Sequence, residues 1–312
     1  MRSRPDPSTV RIDGPWAHRD VYANGIRLHV AETGEGPLVL MLHGFGEFWW
    51  SWRHQLTAVA DAGFRAVAVD LRGYGDSDKP PRGYDAWTLS GDVAGLIKAL
   101  GERKAHLVGH GWGGLLAWSV AALHPRLVES LAVLSAPHPL ALRRAIRRTM
   151  FRRRHANQAR AMGSLFRAQL PIAPERRLLR DRGVLLEQRL LDLSGPQWTY
   201  RPDFAEAARQ FRRAIQVPGA AHSALEYYRW AVRAQVRTEG RRFVEAMARR
   251  IEVPVLLLYG ALDPCMLPTT IRSSVEWLQR PAVEVSLAGI GHYPHQEWPA
   301  STNDFLTKFL SS

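Results

Sequence analysis

Residues 107–114, which read LVGHGWGG, restrict the fold of this chain more than any other part of its sequence. An apolar strand pattern leads into this stretch and an apolar helix pattern follows it. Gly109 and Gly113 let the backbone turn sharply and keep the two elements close together. This is the layout of a nucleophile elbow, G-x-nucleophile-x-G, which forces its central side chain out above a sheet. The central residue here is Gly111, which has no side chain.

A glycine-rich turn between a strand and a helix is also typical of phosphate-binding loops. The surrounding pattern favours the elbow. Runs at 26–32, 38–42, 66–69, 105–108 and 130–134 predict strands, and 52–61, 89–100 and 115–123 predict helices. Short apolar runs bounded by glycine suit strands that are buried on both faces of a parallel sheet. The alternation of strands and helices predicts a doubly wound α/β fold.

The pattern changes after Pro137. Residues 139–239 are helical, arginine-rich and broken by prolines, and strand patterns return only at 253–259 and 283–287, before a last helix at 301–309. We therefore predict an α/β core of residues 16–138 and 240–312, interrupted by a helical cap of residues 139–239. Residues 1–15 are polar and proline-rich, and are expected to form a disordered arm. A lid over the carboxyl ends of the strands would cover the place where open α/β sheets bind ligands.

The composition is that of an ordinary globular protein, with 46% hydrophobic and 23% charged residues in 312. No apolar run is long enough to cross a membrane, and the N-terminus has no apolar segment typical of a secretion signal. Cys265 is the single cysteine, so no intramolecular disulfide can form. These features predict a cytoplasmic location.

A second motif, HGFGEFWWSWRHQL at residues 43–56, directly follows a predicted strand, and DLRGYGDS occupies residues 70–77. With these motifs the chain resembles the epoxide-hydrolase branch of the α/β-hydrolase superfamily, whose members carry H-G-F-P-E and the elbow G-H-D-W-G-G. The resemblance covers nearly the whole chain past Trp16. It implies a mostly parallel eight-stranded sheet with an inserted helical cap, a small hydrophobic substrate and no cofactor or metal.

In that branch the elbow aspartate attacks the epoxide, and a histidine then activates the water that hydrolyses the ester intermediate. Five of the six elbow positions agree, and the sixth is Gly111. Asp263 in the segment YGALDP and His292 in the segment AGIGHY match the acid and the histidine of the triad. Taken singly, Asp263 could be a turn residue and His292 a loop residue. The order elbow, acid, histidine favours the catalytic interpretation.

Other site residues follow from the same resemblance. The backbone N–H groups of Phe45 and Trp112 would form the oxyanion hole. Tyr228 in the segment ALEYYR matches a cap tyrosine that donates a hydrogen bond to the epoxide oxygen, although Tyr227 or Tyr228 could equally be a packing residue. The second cap tyrosine is expected where this chain has Ser164. Five residues are predicted to line the substrate pocket: His43, Glu47, Trp49, His110 and Ser164.

Three other side chains are candidates for the role of the missing nucleophile: Cys265, Ser135 and Glu47. None of them lies on the elbow, and packing or solvation is the simpler interpretation of each. His110, beside the gap, is expected to pack under the elbow.

The formal charge of +13 is concentrated in residues 143–154, which begin at Arg143 and end at Arg154. Leu142, Ile146 and Met150 form an apolar stripe among these arginines. Such a basic amphipathic helix can contact anionic membranes, making a peripheral location the alternative to a purely cytoplasmic one. The first helix of a cap is the interpretation we favour. No nucleic-acid-binding motif accompanies the charge, so no nucleic-acid partner is expected.

Two functions fit these residues. The first is hydrolysis of a lipophilic epoxide or a related small hydrophobic substrate, without the usual nucleophile, through water activated by His292. General-base catalysis of this kind contributes about 10²–10⁴-fold. The alternative is a catalytically degenerate relative that only binds a hydrophobic ligand.

Overall fold

The computed structural model describes residues 5–150 and 157–312, apart from the side chain of Ser164. One eight-stranded sheet runs through it, in the order β1-β2-β4-β3-β5-β6-β7-β8. The strands are β1 (Ala17–Ala23), β2 (Ile26–Thr33), β3 (Leu38–Leu42), β4 (Arg65–Val69), β5 (Ala105–His110), β6 (Val128–Leu134), β7 (Val255–Gly260) and β8 (Val283–Leu287). Strand β2 is antiparallel to β1 and β4, and all other neighbours are parallel. The predicted mostly parallel eight-stranded sheet is confirmed.

The helices of the α/β core in the described residues are α1 (Arg53–Asp61), α2 (Ala86–Ala99) and α3 (Trp112–Leu123) before the long helical region, and α13 (Pro268–Arg272), α14 (Pro294–Glu297) and α15 (Pro299–Leu310) after it. The helices between β6 and β7 are α4 (Pro139–Thr149), α5 (Gln158–Ala161), α6 (Gly163–Arg167), α7 (Ala173–Leu179), α8 (Val184–Leu193), α9 (Pro196–Thr199), α10 (Pro202–Ile215), α11 (Ala220–Arg233) and α12 (Thr238–Met247). Short 3-10 helices occupy Pro7–Val10, Trp49–Trp52, Pro125–Leu127, Arg180–Arg182, Ala234–Val236 and Ser273–Trp277.

Strand β3 shows why the sheet has a hydrophobic core on each face. Its five residues are all buried, and successive side chains point to opposite faces. Leu40 lies in one core cluster with Trp118 of α3, whereas Met41 lies in the other with Leu56 of α1 and Leu306 of α15. A strand covered on both faces reads as a continuous apolar run, which is the pattern that predicted it.

Strand β1 was not predicted, because its sequence AHRDVYA is polar and only two of its side chains are buried. The predicted disordered arm also differs from the structure within the described residues 5–15. Asp6 caps a 3-10 helix there, and Val10 is 1% exposed. The carbonyl of Val10 accepts a hydrogen bond of 2.9 Å from Trp49 Nε1. A buried tryptophan N–H needs a partner, and this segment supplies it.

Helices α4 to α12 stand between β6 and β7, where the sequence predicts the cap. The predicted boundary after residue 239 falls inside α12, which continues to Met247 and contacts both α3 and α4. The helix therefore touches the core as well as the inserted region.

The apolar stripe that begins on the arginine-rich helix α4 faces inward at Leu142 and Ile146, whereas Met150, just past the helix, is 45% exposed. Leu142 is buried and Ile146 packs against the core, while Arg144 forms an ion pair with Glu276. Residues 151–156 lie outside the described residues, so contact of the region from Arg143 to Arg154 with a membrane stays a prediction. Among the described residues, no helix has the length and apolarity needed to cross a bilayer.

We expect Gly113→Ala to destabilise the protein by about 1–3 kcal/mol, because overpacking in a close-packed interior costs that much. A Cβ at this position would lie 2.1 Å from the carbonyl oxygen of Leu42, which is backbone and cannot rotate away. The free energy of unfolding in urea is the measurement. Gly163→Ala in α6 is the control: its nearest neighbour would be Arg167 Nη1 at 4.0 Å, so its effect should stay within about 1 kcal/mol. Equal effects of the two changes would contradict the expectation.

Candidate active site

Gly111 forms the sharp turn between β5 and α3, with φ 51° and ψ −115°. Its N–H donates to the carbonyl of Leu134 on the neighbouring strand. A Cβ built on Gly111 would meet His292 Nε2 at 3.5 Å and Gly44 Cα at 3.8 Å, and nothing closer. The elbow is therefore formed, and a side chain at its tip would point at the histidine.

His292 and Asp263 come together as the sequence predicts, from the loops that follow β8 and β7. His292 Nδ1 lies 2.8 Å from Asp263 Oδ2 and must donate, because a carboxylate only accepts. Asp263 Oδ1 accepts from the N–H groups of Cys265 and Met266, at 2.7 and 2.9 Å. Burial lowers the pKa of His292 below its ordinary value of 6.5, and the Asp263 carboxylate opposes this shift. The imidazole is thus neutral at pH 7, with Nε2 facing Gly111 as a free base.

Gly111 and His292 line a chamber of about 20 Å³, together with Tyr228 and Arg189. One water molecule needs roughly 10–15 Å³, so the chamber holds about one. Phe45, Arg189 and Tyr228 also line a larger pocket of about 450 Å³ between the core and the helices α6, α7, α8 and α11. A volume of this size suits a small organic molecule, and the three shared residues separate it from the chamber.

The predicted oxyanion groups lie at the same chamber, which Phe45 and Trp112 both line. Trp112 is the first residue of α3, and the first N–H groups of a helix have no acceptor within that helix. Helix N-termini also favour negative charge.

Beneath the elbow, His110 connects the chamber to Glu47. His110 Nδ1 lies 2.8 Å from Glu47 Oε2, and Nε2 lies 2.9 Å from the carbonyl of His292. Both partners are acceptors, so His110 is an imidazolium. Its pKa is raised: burial opposes the charge, but the Glu47 carboxylate outweighs it, and the pKa of Glu47 lies well below its ordinary value. Glu47 also accepts 2.6 Å from Gly44 N, which fixes the oxyanion loop.

One group of buried side chains among the described residues could hold a metal ion: Glu47, His110 and His295. Their possible ligand atoms all lie within 4.8 Å of one another. Two of these atoms already bond to each other, and His110 donates at both ring nitrogens. A metal ligand must be unprotonated. The arrangement therefore fits a hydrogen-bonded network better than a metal centre.

Three of the five predicted pocket residues line neither space. One is Glu47, which lies beneath the elbow; the other two are His43 and Trp49. His43 is fully buried, accepts from Leu71 N at 3.1 Å and donates to the carbonyl of Gly44. Trp49 points to the other side of its 3-10 helix, where it packs edge-on against Trp16 and His18. The predictions for His43 and Trp49 are wrong because the HGFGEFWW segment turns between its residues. Residues that are neighbours in the sequence therefore face different parts of the core. The side chain of Ser164 lies outside the described residues, and its backbone belongs to α6.

The two adjacent tyrosines of α11 have different environments. Tyr227 donates to the carbonyl of Arg72 at 2.9 Å and is a packing residue. Tyr228 lines the chamber, with its ring edge-on to Phe45 at 4.8 Å and to Trp112 at 5.0 Å. Of the two tyrosines, Tyr228 is the one that lines both the chamber and the larger pocket.

The alternative nucleophiles do not fit the geometry. Cys265 lines the chamber, but burial raises the pKa of its thiol to about 11, so it is not a thiolate at neutral pH. Ser135 is fully buried and outside the chamber lining. Glu47 lies beneath the elbow, where its Oε2 accepts from Gly44 N and His110 Nδ1, and it is outside the chamber lining.

Sequence reasoning missed Glu297, which holds the His292 loop. Its carboxylate accepts from the N–H groups of Gly291 at 2.8 Å, Tyr293 at 2.9 Å and Gly195 at 2.7 Å. His292 N also donates to the carbonyl of Leu193. The base is therefore anchored to the inserted helical region, and no short motif around Glu297 indicates this.

Arg189 was missed as well, although one local signal exists. Arg189 lies in helix α8, four residues after Leu185 and four residues before Leu193. All three side chains lie on the same face of the helix and line the larger pocket. An arginine at an apolar-stripe position faces the same way as its apolar neighbours.

A family model described as alpha/beta hydrolase fold matches residues 37–297. The chain therefore belongs to the α/β-hydrolase family. It is 33% identical over 314 residues to "Epoxide hydrolase 3" of Xenopus tropicalis, covering 99% of this chain and 81% of that protein. It is 32% identical to "Epoxide hydrolase A" of Mycobacterium tuberculosis, covering 96% and 98%. The crystal structure of epoxide hydrolase A from Mycobacterium thermoresistibile matches with a TM-score of 0.79 and 29% identity, covering 95% and 98%.

These similarities extend over whole chains and place this protein in the epoxide-hydrolase branch of that family.

We expect Glu47→Gln to destabilise the protein by about 3–5 kcal/mol, because it leaves the His110 cation buried without a partner. The depressed pKa of Glu47 gives stability that is present above its ordinary value of 4.5 and lost as pH falls through the folded value. The raised pKa of His110 gives stability that is present below 6.5 and lost as pH rises through the folded value. The effect is therefore largest between pH 4.5 and 6.5.

Urea denaturation across that pH range is the measurement, with Glu129→Gln as control. Glu129 pairs with Lys104 on the surface, where both side chains are about half exposed. Its loss should cost under about 1 kcal/mol at any pH. A pH-independent effect of Glu47→Gln would contradict the assigned charges.

Proposed function

We propose that this protein hydrolyses a lipophilic epoxide or a related small hydrophobic substrate by direct attack of water, without a covalent intermediate. The observation that carries this proposal is the position of Gly111. The elbow tip has no side chain, and the space above it adjoins the basic Nε2 of His292 at 3.5 Å from the Cβ site. Residues 139–239 serve in this proposal as the cap over the pocket.

The reaction follows from the groups at the chamber. Water beside Gly111 attacks an epoxide carbon while His292 Nε2 takes one of its protons, and Asp263 stabilises the imidazolium that forms. The C–O bond of the epoxide breaks, and its oxygen takes a proton from the Tyr228 hydroxyl. Proton return from His292 to Tyr228 through solvent restores the site and leaves a diol. Burial keeps the pKa of His292 low, and the neighbouring His110 cation adds to this effect, so the base is regenerated as neutral imidazole.

The elbow N–H groups have a different task from that in relatives with an aspartate. With no carboxylate at Gly111, the N–H groups of Phe45 and Trp112 face the attacking water. They stabilise the negative charge that develops on its oxygen as the proton leaves.

We expect His292→Ala to lower turnover of styrene-type and fatty epoxides by at least about 10²-fold, because it removes the general base.

The wild-type protein should show no covalent adduct with substrate by mass spectrometry, and a single turnover in ¹⁸O-labelled water should place the label in the diol. Gly111→Asp combined with His292→Ala should trap a covalent ester of the substrate, visible by intact mass spectrometry.

Two outcomes would contradict the proposal. One is the absence of epoxide turnover by a folded wild-type protein that still binds the substrate, which would favour a pure binding protein. The other is unchanged turnover in His292→Ala. Arg176→Met, an exposed change outside the pocket lining, is the matched control for handling and folding.

The acid limb of the pH profile should lie below pH 6.5. Burial keeps the pKa of His292 below that value, and catalysis needs its neutral form. The ratio kcat/KM should therefore stay level from pH 8 through neutrality and fall only on further acidification. An activity that rises through pH 7 to 8 would mean that a group with a higher pKa is the base.

A further inference from the structure

We propose that this pocket selects ligands that carry a carboxylate, which Arg189 binds through its guanidinium group. The inference shares its pocket with the proposed hydrolysis and rests on that function only in treating the ligand as the substrate.

The first observation is the position of Arg189. It lines both the chamber beside Gly111 and His292 and the pocket of about 450 Å³. It is half-buried, so part of its hydration is lost. Its guanidinium is thus presented to whatever molecule spans the two spaces.

The second observation is what Arg189 contacts. Its Nη2 lies 3.8 Å from the Cys265 sulfur, and the guanidinium lies 5.5 Å from the centre of the Phe45 ring. Among the described residues, no carboxylate oxygen lies within 4.0 Å of its nitrogens. Other buried arginines do have such partners: Arg72 pairs with Asp92 at 2.6 Å, and Arg229 with Glu175 at 2.8 Å. Arg189 therefore has donors available for an anion that arrives from outside.

The third observation is the charge of the surroundings. Arg167 and Arg177 also line the larger pocket, whereas the acidic side chain there, Asp192, accepts from Gln188. Asp263, at the chamber, is engaged with His292. The remaining lining is mostly leucine, alanine and aromatic rings. Such a pocket fits an apolar body with one anionic group.

A carboxylate is the group that this geometry suits. The planar guanidinium can hold both carboxylate oxygens at once, and the low polarity around it strengthens the pair. The absence of an aspartate at Gly111 matters here, because a second carboxylate in so small a chamber would repel an anionic ligand. Gly111 and Arg189 thus favour anionic ligands together.

The test compares two probes of one shape, 4-phenylbutanoate and 4-phenylbutanamide, by isothermal titration calorimetry at pH 7. We expect the wild-type protein to bind the carboxylate at least about tenfold more tightly than the amide. Arg189→Met should remove this preference, so that the carboxylate and the amide bind with equal affinity. Arg189→Lys should keep part of it, because it retains the charge but not the planar fork. Arg176→Met is the control and should behave as wild type.

Each of three results would overturn the inference. They are equal affinity of the wild-type protein for the two probes, a carboxylate preference that remains in Arg189→Met, and failure of both probes to bind at millimolar concentration. Thermal denaturation of each variant checks that it is folded, and Arg189→Lys carries the test if Arg189→Met is not. Failure of the proposed function looks different: the carboxylate preference is present, yet no epoxide is hydrolysed. Hydrolysis of charged and neutral epoxides at equal kcat/KM would keep the function and refute the inference.

Discussion

The sharp turn at Gly111 is the constraint on which the rest of the site depends. Helix α3 starts directly under β3, so closely that any Cβ on Gly113 would collide with the carbonyl of Leu42. This approach directs the first N–H groups of the helix to the chamber and leaves the elbow tip opposite His292. The turn forms with its positive φ although its tip has no side chain. The geometry belongs to the backbone, so it forms without any side chain at residue 111.

A set of buried charges holds this arrangement in place. The Glu47 carboxylate joins the oxyanion loop to the His110 cation, and His110 joins the elbow to the carbonyl of His292. On the far side, Glu297 collects three backbone N–H groups and ties the histidine loop to the inserted helices. The Glu47 and Glu297 carboxylates and the His110 cation each have at least two hydrogen-bond partners, which offsets the cost of burying a charge. Arg189 differs from them, since it lines the larger pocket and has no acidic partner in the part of the chain that the structure describes.

The candidate site was predictable where a short motif fixes the backbone. The elbow, Asp263 and His292 lie at the ends of buried strands, and the parallel sheet brings those ends to one edge. Trp49 and His43 were placed wrongly because the segment after β3 turns within a few residues, and periodicity does not show which way each side chain points. Glu297 was missed because its tie to the inserted helices runs through Gly195, which is 102 residues earlier in the chain. Arg189 was missed because its role depends on a pocket formed by several helices.

The sequence by itself determined the α/β class, seven of the eight strands and the absence of a side chain at the elbow tip. Those properties are local: runs of apolar residues form strands, glycines permit the turn, and a missing Cβ is missing in any fold. Only the tertiary structure decided that His292 faces Gly111 across a chamber of about the size of one water molecule, and that Arg189 lines the same chamber. Both facts depend on the distance between segments that are far apart in the chain, which packing of the inserted helices against the sheet sets.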